Sequence, residues 1–386
     1  MGSVNKIDDV EAENLRIVFE RLDRSDYYEW NLFEKSLTKT RNGKITSLDL
    51  SWHGLHHIPS QCFQGLDYLE TIRLDNNPHI VFDQDSFVGV PKLNELLIRY
   101  CKINEFPKHA FNKDLKLKLI DFSHNPLGQI KEGDFLNLPY LTVLNLSNTN
   151  LLEINSHCFQ GLYNLEELSL ENNMITKIED EVMMGLYSLL VLNLRNNQIQ
   201  KLGLQAFKGL SNILEIKLDN NRLDRIPNST FQLVPTIQHV SLVNNQLTAL
   251  ESIFANHPAL TRVDLDTNLI EVVQKKNFAN SPHLKFILLQ SNLVRDVEDG
   301  AVETLSGLEV FNLENNPLEV EAALGLPKQA VFNYVPLIKS ASSEEIHKWV
   351  VDHYENKRLV EQILRTKRVN EKTRAFLRLV GFYLRD

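Results

Sequence analysis

The chain repeats itself. An apolar pair spaced Leu-x-Leu recurs with its first member at Leu48, Ile72, Leu96, Ile120, Leu144, Leu168, Leu192, Ile216, Val240, Val263, Ile287 and Phe311, every 24 residues except for one step of 23 between Val240 and Val263. The frame around each pair recurs with it. An apolar residue stands three places upstream, from Ile45 to Leu308, and two more follow downstream, as in Leu151 with Ile154 and Ile175 with Ile178. Phenylalanines close the frame at Phe63, Phe87, Phe111, Phe135, Phe159, Phe207, Phe231, Phe254 and Phe278, with Met183 substituting once. A fixed period of this length admits few folds. Leu-x-Leu has period two, so it reads as a short strand with one buried face. A single turn of this size cannot bury its apolar side chains alone, whereas stacked turns bury them against one another. The expected architecture is an α/β solenoid with parallel strands, its phenylalanines filling the wider outer half of each coil.

Each copy also keeps a polar residue inside the apolar frame: Asn77, Asn125, Asn173, Asn197, Asn221, Asn245, Asn268, Asn292 and Asn316, with His53, Cys101 and Thr149 in the remaining places. Where the chain turns away from a strand its backbone N–H and C=O groups enter the interior and need partners. Asparagine offers two donors and an acceptor on a short stem. Stacked copies therefore form a ladder in which Asn197 faces inward, while Asn193, on the strand, is expected to face solvent.

The pattern L-x-x-L-x-L-x-x-N-x-L-x-x-I-x-x-x-x-F-x-x-L-x-x resembles the typical 24-residue leucine-rich repeat of Toll-like receptor ectodomains, small leucine-rich proteoglycans and the leucine-rich immune proteins of insects. That resemblance implies a horseshoe with a parallel sheet on its concave face, a protein ligand bound there, no catalysis, and a place outside cells or at their surface. Extracellular members usually close both ends with disulfide-bonded caps, and here the chain departs from them. Its three cysteines, Cys62, Cys101 and Cys158, all lie inside the array. Cys62 and Cys158 are four coils apart, which at about 4.8 Å per strand separates them by roughly 19 Å, beyond disulfide reach. Free core thiols favour a reducing compartment, so the cytoplasm stands as the alternative location.

Three segments follow from the pattern: 1–44, an N-terminal helical cap; 45–325, an array of twelve repeats; and 326–386, a C-terminal cap and helical tail. Leu15, Val18, Phe19 and Leu22 have the spacing of an amphipathic helix, and Tyr27, Trp30 and Phe33 supply aromatic cover for the first coil. In the tail, Ser342 with Glu345 forms a capping box ahead of Ile346, Trp349 and Val350. Further apolar faces follow at Leu359, Val360, Ile363 and Leu364, and at Phe376, Leu379, Val380, Tyr383 and Leu384.

Composition removes several classes of function. A net charge of −9 argues against nucleic acid as the main partner. Residues 343–386 are the exception, with ten Lys and Arg against seven Asp and Glu, and suit a second partner for the tail. No run of 18 apolar residues spans a membrane, and the first residues hold no apolar leader. Asn145 and Asn228 open glycosylation triplets, usable only on a secreted chain. His53, His56 and His57 cluster, but no Cys or acidic residue shares metal spacing with them. No phosphate loop, dinucleotide glycine pattern or nucleophile elbow occurs, so neither catalysis nor a cofactor is expected.

Recognition remains. Residues alternating with the buried pair line the concave face: Ser51, Arg73, Asp75 and Arg99 early, then Glu167, Glu171, Arg195, Glu215, Lys217 and Asp219, then Arg262, Asp264 and Asp266. Near the end this column becomes apolar, with Phe286, Leu288 and Val310. The expected site is this trio together with Arg262, with Phe286 as anchor and the carboxylates of Asp264, Asp266 and Asp219 selecting a basic protein. In a competing account the chain's own basic tail folds over the trio. In another, the protein is an intracellular adaptor whose tail joins a second partner.

Overall fold

The computed structural model describes residues 7–23, 38–318 and 330–331. The chain divides into two compact units, Met1–Lys217 and Leu218–Asp386.

In the first unit the repeat starts pair with one another in parallel, Leu48 with Ile72, then Leu96, Ile120, Leu144, Leu168, Leu192 and Ile216. Strands such as Thr71–Arg73 and Val191–Asn193 are three residues long, with the middle residue buried. In the second unit Val240, Val263, Ile287 and Phe311 pair likewise, and Ala330–Val331 adds a further parallel strand beside Val310–Asn312. The solenoid read from the repeat is the fold observed. The 23-residue step leaves the sheet intact, because the residue is lost from the turn between Leu250 and Phe254, both buried, while Val240 still faces Val263.

Fully buried phenylalanines form the outer wall of the core. Phe63, Phe87 and Phe111 stack with centroids 6.0 and 5.5 Å apart in the first unit, and Phe231, Phe254 and Phe278 at 5.9 and 6.2 Å in the second. Burying each contributes about 1.5–3 kcal/mol. Coil spacing is tight enough to exclude a side chain at Gly161. Its φ is +104°, and a Cβ there would lie 2.7 Å from the Phe135 carbonyl oxygen.

The asparagine ladder bonds as its chemistry demands. The Asn197 oxygen accepts from the Ile175 N–H at 3.1 Å, and its amide donates to the carbonyls of Leu170 at 2.9 Å and Leu194 at 3.1 Å. Thr149 does part of this work, donating to the Leu146 carbonyl at 2.7 Å, and the Cys101 thiol reaches the Leu74 carbonyl at 3.2 Å. The residue before each ladder position is left-handed, with φ of +58° at Asn76, +54° at Asn196 and +58° at Asn315. Asparagine tolerates that conformation better than most residues. The repeated Asn-Asn doublets thus combine a turn residue with a ladder residue.

A helix, α1 (Asp9–Arg21), covers the first coil. Asp8 caps it by accepting from the Glu11 N–H at 2.9 Å, and Leu15, Val18 and Phe19 form its buried face. Glu11 is also buried and accepts from the Ile45 N–H, while Arg21 donates to the carbonyls of Gln61, Cys62 and Gln64. The helix therefore covers the turn and interior of the first coil without a disulfide, while a strand, Thr38–Arg41, pairs antiparallel with the sheet edge at Lys44–Asp49. Tyr27, Trp30 and Phe33, and the helices expected after 342, lie outside the described residues.

All three cysteines are free and buried. Burial pushes their thiols up, to about 12 at Cys62, about 11 at Cys101 and about 12 at Cys158. They are core residues rather than nucleophiles.

Candidate protein-recognition surface

Strand register arranges the predicted site residues in rows. Arg262, Phe286 and Val310 lie side by side, with Asp264, Leu288 and Asn312 in the next row. Phe286, Leu288 and Val310 are half-buried, whereas Ile287 and Phe311 beneath them are fully buried. The apolar trio therefore stands on the open face of the sheet, supported by a packed core. The Arg262 guanidinium carbon lies 5.8 Å from the centre of the Phe286 ring, within reach of a cation–π contact.

The acidic residues beside the trio are committed to other work. Asp264 is 7% exposed; it accepts from His239 Nε2 at 2.9 Å and from Arg262 Nε at 2.8 Å. Burial alone would push its carboxyl up, but these two hydrogen bonds outweigh burial and hold it below the usual value. Asp266 shifts the other way. Burial raises it and the neighbouring Asp264 adds to the rise, against the Gln290 backbone N–H, which donates to it at 2.7 Å. Asp219 is 5% exposed, accepting from the Ser241 hydroxyl and from the Val243 N–H at 2.9 Å.

A rule emerges from these contacts. Just past many of the strands the backbone N–H points at the open face, and a carboxylate or carboxamide on that face accepts from it. Asp75 does so for Arg99 and Asp266 for Gln290, each one coil on, as Asp219 does for Val243. Asp121, Asn145, Asn193 and Asn312 do it two residues on within their own coil. Asp219 and Asp264, expected to select a basic partner, are thus buried and hydrogen-bonded within the sheet. Asn193, expected to face solvent, is only half-open, accepting from the Arg195 N–H at 3.1 Å and donating to Glu171 at 2.9 Å. Sequence reasoning missed this device, although an Asp or Asn one or three places after the first residue of the Leu-x-Leu pair was a readable signal for it.

Elsewhere on the face, Asp75 also holds the Arg99 guanidinium at 2.6 Å. The histidine cluster is dispersed, with His53 Nδ1 on the Ser51 carbonyl at 2.6 Å and His57 paired with Asp83 at 2.9 Å. Among the described residues no three His, Cys, Asp or Glu side chains are placed to hold a metal ion, and no helix is long and apolar enough to cross a membrane.

A stacked parallel sheet built from one short strand per 24-residue coil defines a repeat solenoid. The leucine-rich repeat family model matches residues 139–199, 188–247 and 258–318, and the BspA-type leucine-rich repeat model matches 40–166. The chain belongs to the leucine-rich repeat proteins. In fold it is similar to Toll in the Drosophila Toll–Spatzle complex, at 23% identity and a TM-score of 0.68, over 80% of this chain and 40% of that one. A second Toll–Spatzle structure gives 20% identity and a TM-score of 0.55, over 74% of this chain and 42% of that one. TLR13, solved with ssRNA13, gives 21% identity and a TM-score of 0.57, over 75% of this chain and 50% of that one. The chain thus spans half or less of the structures it resembles. No curated protein matches it in sequence.

Proposed function

We propose that this protein is a non-catalytic recognition scaffold that binds a protein partner on the open sheet face of its second unit, through Phe286, Leu288 and Val310. The observation that carries this reading is the trio itself: Phe286 and Leu288 make both open-face positions of one strand apolar and Val310 lies beside them, whereas Leu119, Val143 and Val191 each share their strand with a polar Asp121, Asn145 or Asn193. Binding energy concentrates in such anchors when polar groups surround them. Arg262, His239 and Asp264 supply that surround as a linked group, so the partner meets a fixed polar rim rather than free carboxylates. Toll, similar in fold, is solved in complex with a protein, Spatzle. That likeness supports a secreted or cell-surface role in innate immunity for this chain. The three buried thiols support the second reading, an intracellular adaptor.

A photoreactive residue at position 288 tests the site in the full chain against fluid or extract from the source organism. It should crosslink one defined protein, with yield falling about tenfold on Phe286→Ala, as for a hot-spot side chain. A probe at Leu204, which is exposed in the first unit, should not capture that protein. Equal capture from both positions would refute the placement.

A further inference from the structure

The coils that carry the trio have a second apolar surface, on the flank where the chain leaves the strands. One place after the ladder asparagine stand Leu269, Leu293 and Pro317, on three consecutive coils. Leu269 and Leu293 are 43% and 40% exposed, and Val272, three residues after Leu269, is exposed too. Other coils often fill this place with polar residues, Lys102, Asn150, Gln198, Arg222 and Gln246 among them. Neighbouring aliphatic side chains left in water on consecutive coils are a surface awaiting cover.

We infer that the chain's own segment 342–386 covers this flank. Three observations point to that occupant. The first is direction: Ala330–Val331 runs parallel to Val310–Asn312, with Phe311 beside Ala330 and Asn312 beside Val331. The strand Val310–Asn312 leads within five residues to Pro317, and Ala330–Val331 runs beside it in the same direction. The second is reach. The ten residues 332–341 extend to at most about 33 Å, while the stripe crosses three coils at about 4.8 Å each. The third is complementarity. Residues 258–318 carry nine Asp and Glu against five Lys and Arg, and Glu271, Asp296 and Asp299 are exposed near the stripe, whereas 343–386 carries ten Lys and Arg against seven Asp and Glu. The segment's apolar positions at Trp349, Val350, Leu359, Ile363 and Leu364 need burial against another surface. Docked on the flank, the tail closes the last coils and leaves Phe286, Leu288 and Val310 open on the sheet face.

Thiol labelling of the full chain tests this. The native cysteines are buried, so an introduced cysteine is the reactive one. Leu293→Cys probes the stripe, and Met174→Cys, at the same place in a coil of the first unit and 36% exposed, is the open control. The covered site should label at least about tenfold more slowly than the control, the mark of a surface that reacts only on local opening. Adding Ile363→Asp with Leu364→Asp in the tail should bring it within about twofold of the control. Native thiols that stay unlabelled show that the array is folded in each variant; Trp349→Asp replaces the pair if they label. Equal rates at 293 and 174 in the unaltered tail would overturn the inference. So would protection that survives the tail substitutions, whether dilution relieves it, which marks a second copy as the cover, or does not.

Discussion

Replacing Asn197 by Leu tests the ladder where its consequences are largest. The leucine removes an acceptor used by the Ile175 N–H and a donor used by the carbonyls of Leu170 and Leu194, all buried and drawn from two coils. Each buried group left without a partner costs about 1–3 kcal/mol, carbonyls toward the lower end, so the total is about 3–6 kcal/mol. Asn193→Leu is the comparison. It strands one N–H, that of Arg195, at a half-open position where water can substitute, and should cost about 0.5–1.5 kcal/mol. Asn197→Thr should fall between them, because Thr149 at the equivalent place still donates to the Leu146 carbonyl. Urea unfolding of the full chain, followed by far-ultraviolet circular dichroism, measures all three. Equal midpoints for Asn197→Leu and Asn193→Leu would refute the assignment of inward and outward positions.

Other outcomes follow from burial, charge and backbone geometry. Phe278→Ala removes a ring from the buried stack and should cost about 3–5 kcal/mol, whereas Phe286→Ala on the open face should cost about 1 kcal/mol; comparable losses in urea unfolding would place Phe286 in a core. His257 is buried with one ring nitrogen on the Ile253 carbonyl at 3.1 Å and the other unbonded, and burial lowers it from its ordinary 6.5. The folded state therefore prefers the neutral ring, and its stabilisation, complete above pH 6.5, is lost as pH falls below that value toward the lowered one. His257→Gln should flatten the fall of the unfolding midpoint below pH 6.5, and an unchanged slope would exclude this residue as the source. Gly161→Ala and Gly128→Ala share a positive-φ cost of about 1 kcal/mol, but only the first meets a carbonyl oxygen and should lose a further ~1–3 kcal/mol; calorimetry showing equal losses would contradict the tight approach of the coils.

Most of the fold was legible because its causes are periodic. The strand centres, the phenylalanine wall and the asparagine ladder each repeat once per coil, so one correct register assigns them all. The face of α1 was legible from Leu15, Val18 and Phe19 by helical spacing. What escaped was aperiodic or depended on which neighbour a side chain reaches. Asp219 and Asp266 look alike as letters beside Glu167 or Glu215, yet the first two accept from a backbone N–H one coil on, a contact set by the stacking offset between coils. The Leu269, Leu293 and Pro317 stripe has no periodic mark either, because the place after the ladder residue changes from coil to coil, Lys102, Gln198 and Arg222 among its other occupants.

The division of labour on the sheet face has a consequence that Asp219 can decide. If its carboxylate serves the backbone, the needed property is an acceptor oxygen, and charge is incidental. The Val243 N–H and the Ser241 hydroxyl both donate to the same oxygen, Oδ1, which Asp219→Asn retains as the amide oxygen, so stability should stay within about 0.5 kcal/mol of the parent chain. Asp219→Ala strands both groups in a nearly dry place and should lose about 2–4 kcal/mol. A partner-selecting charge would behave in the opposite way. Asparagine would then abolish capture while leaving stability intact, and alanine would do no more harm to capture than asparagine. Unfolding midpoints and crosslinking yield at position 288, measured on both variants, separate the cases. Capture that survives Asp219→Asn would mean that, at this position, the sheet's variable acidic face is shaped by unpaired N–H groups at strand ends. Specificity would then rest on the few side chains, Phe286, Leu288 and Val310 first, that no backbone group claims.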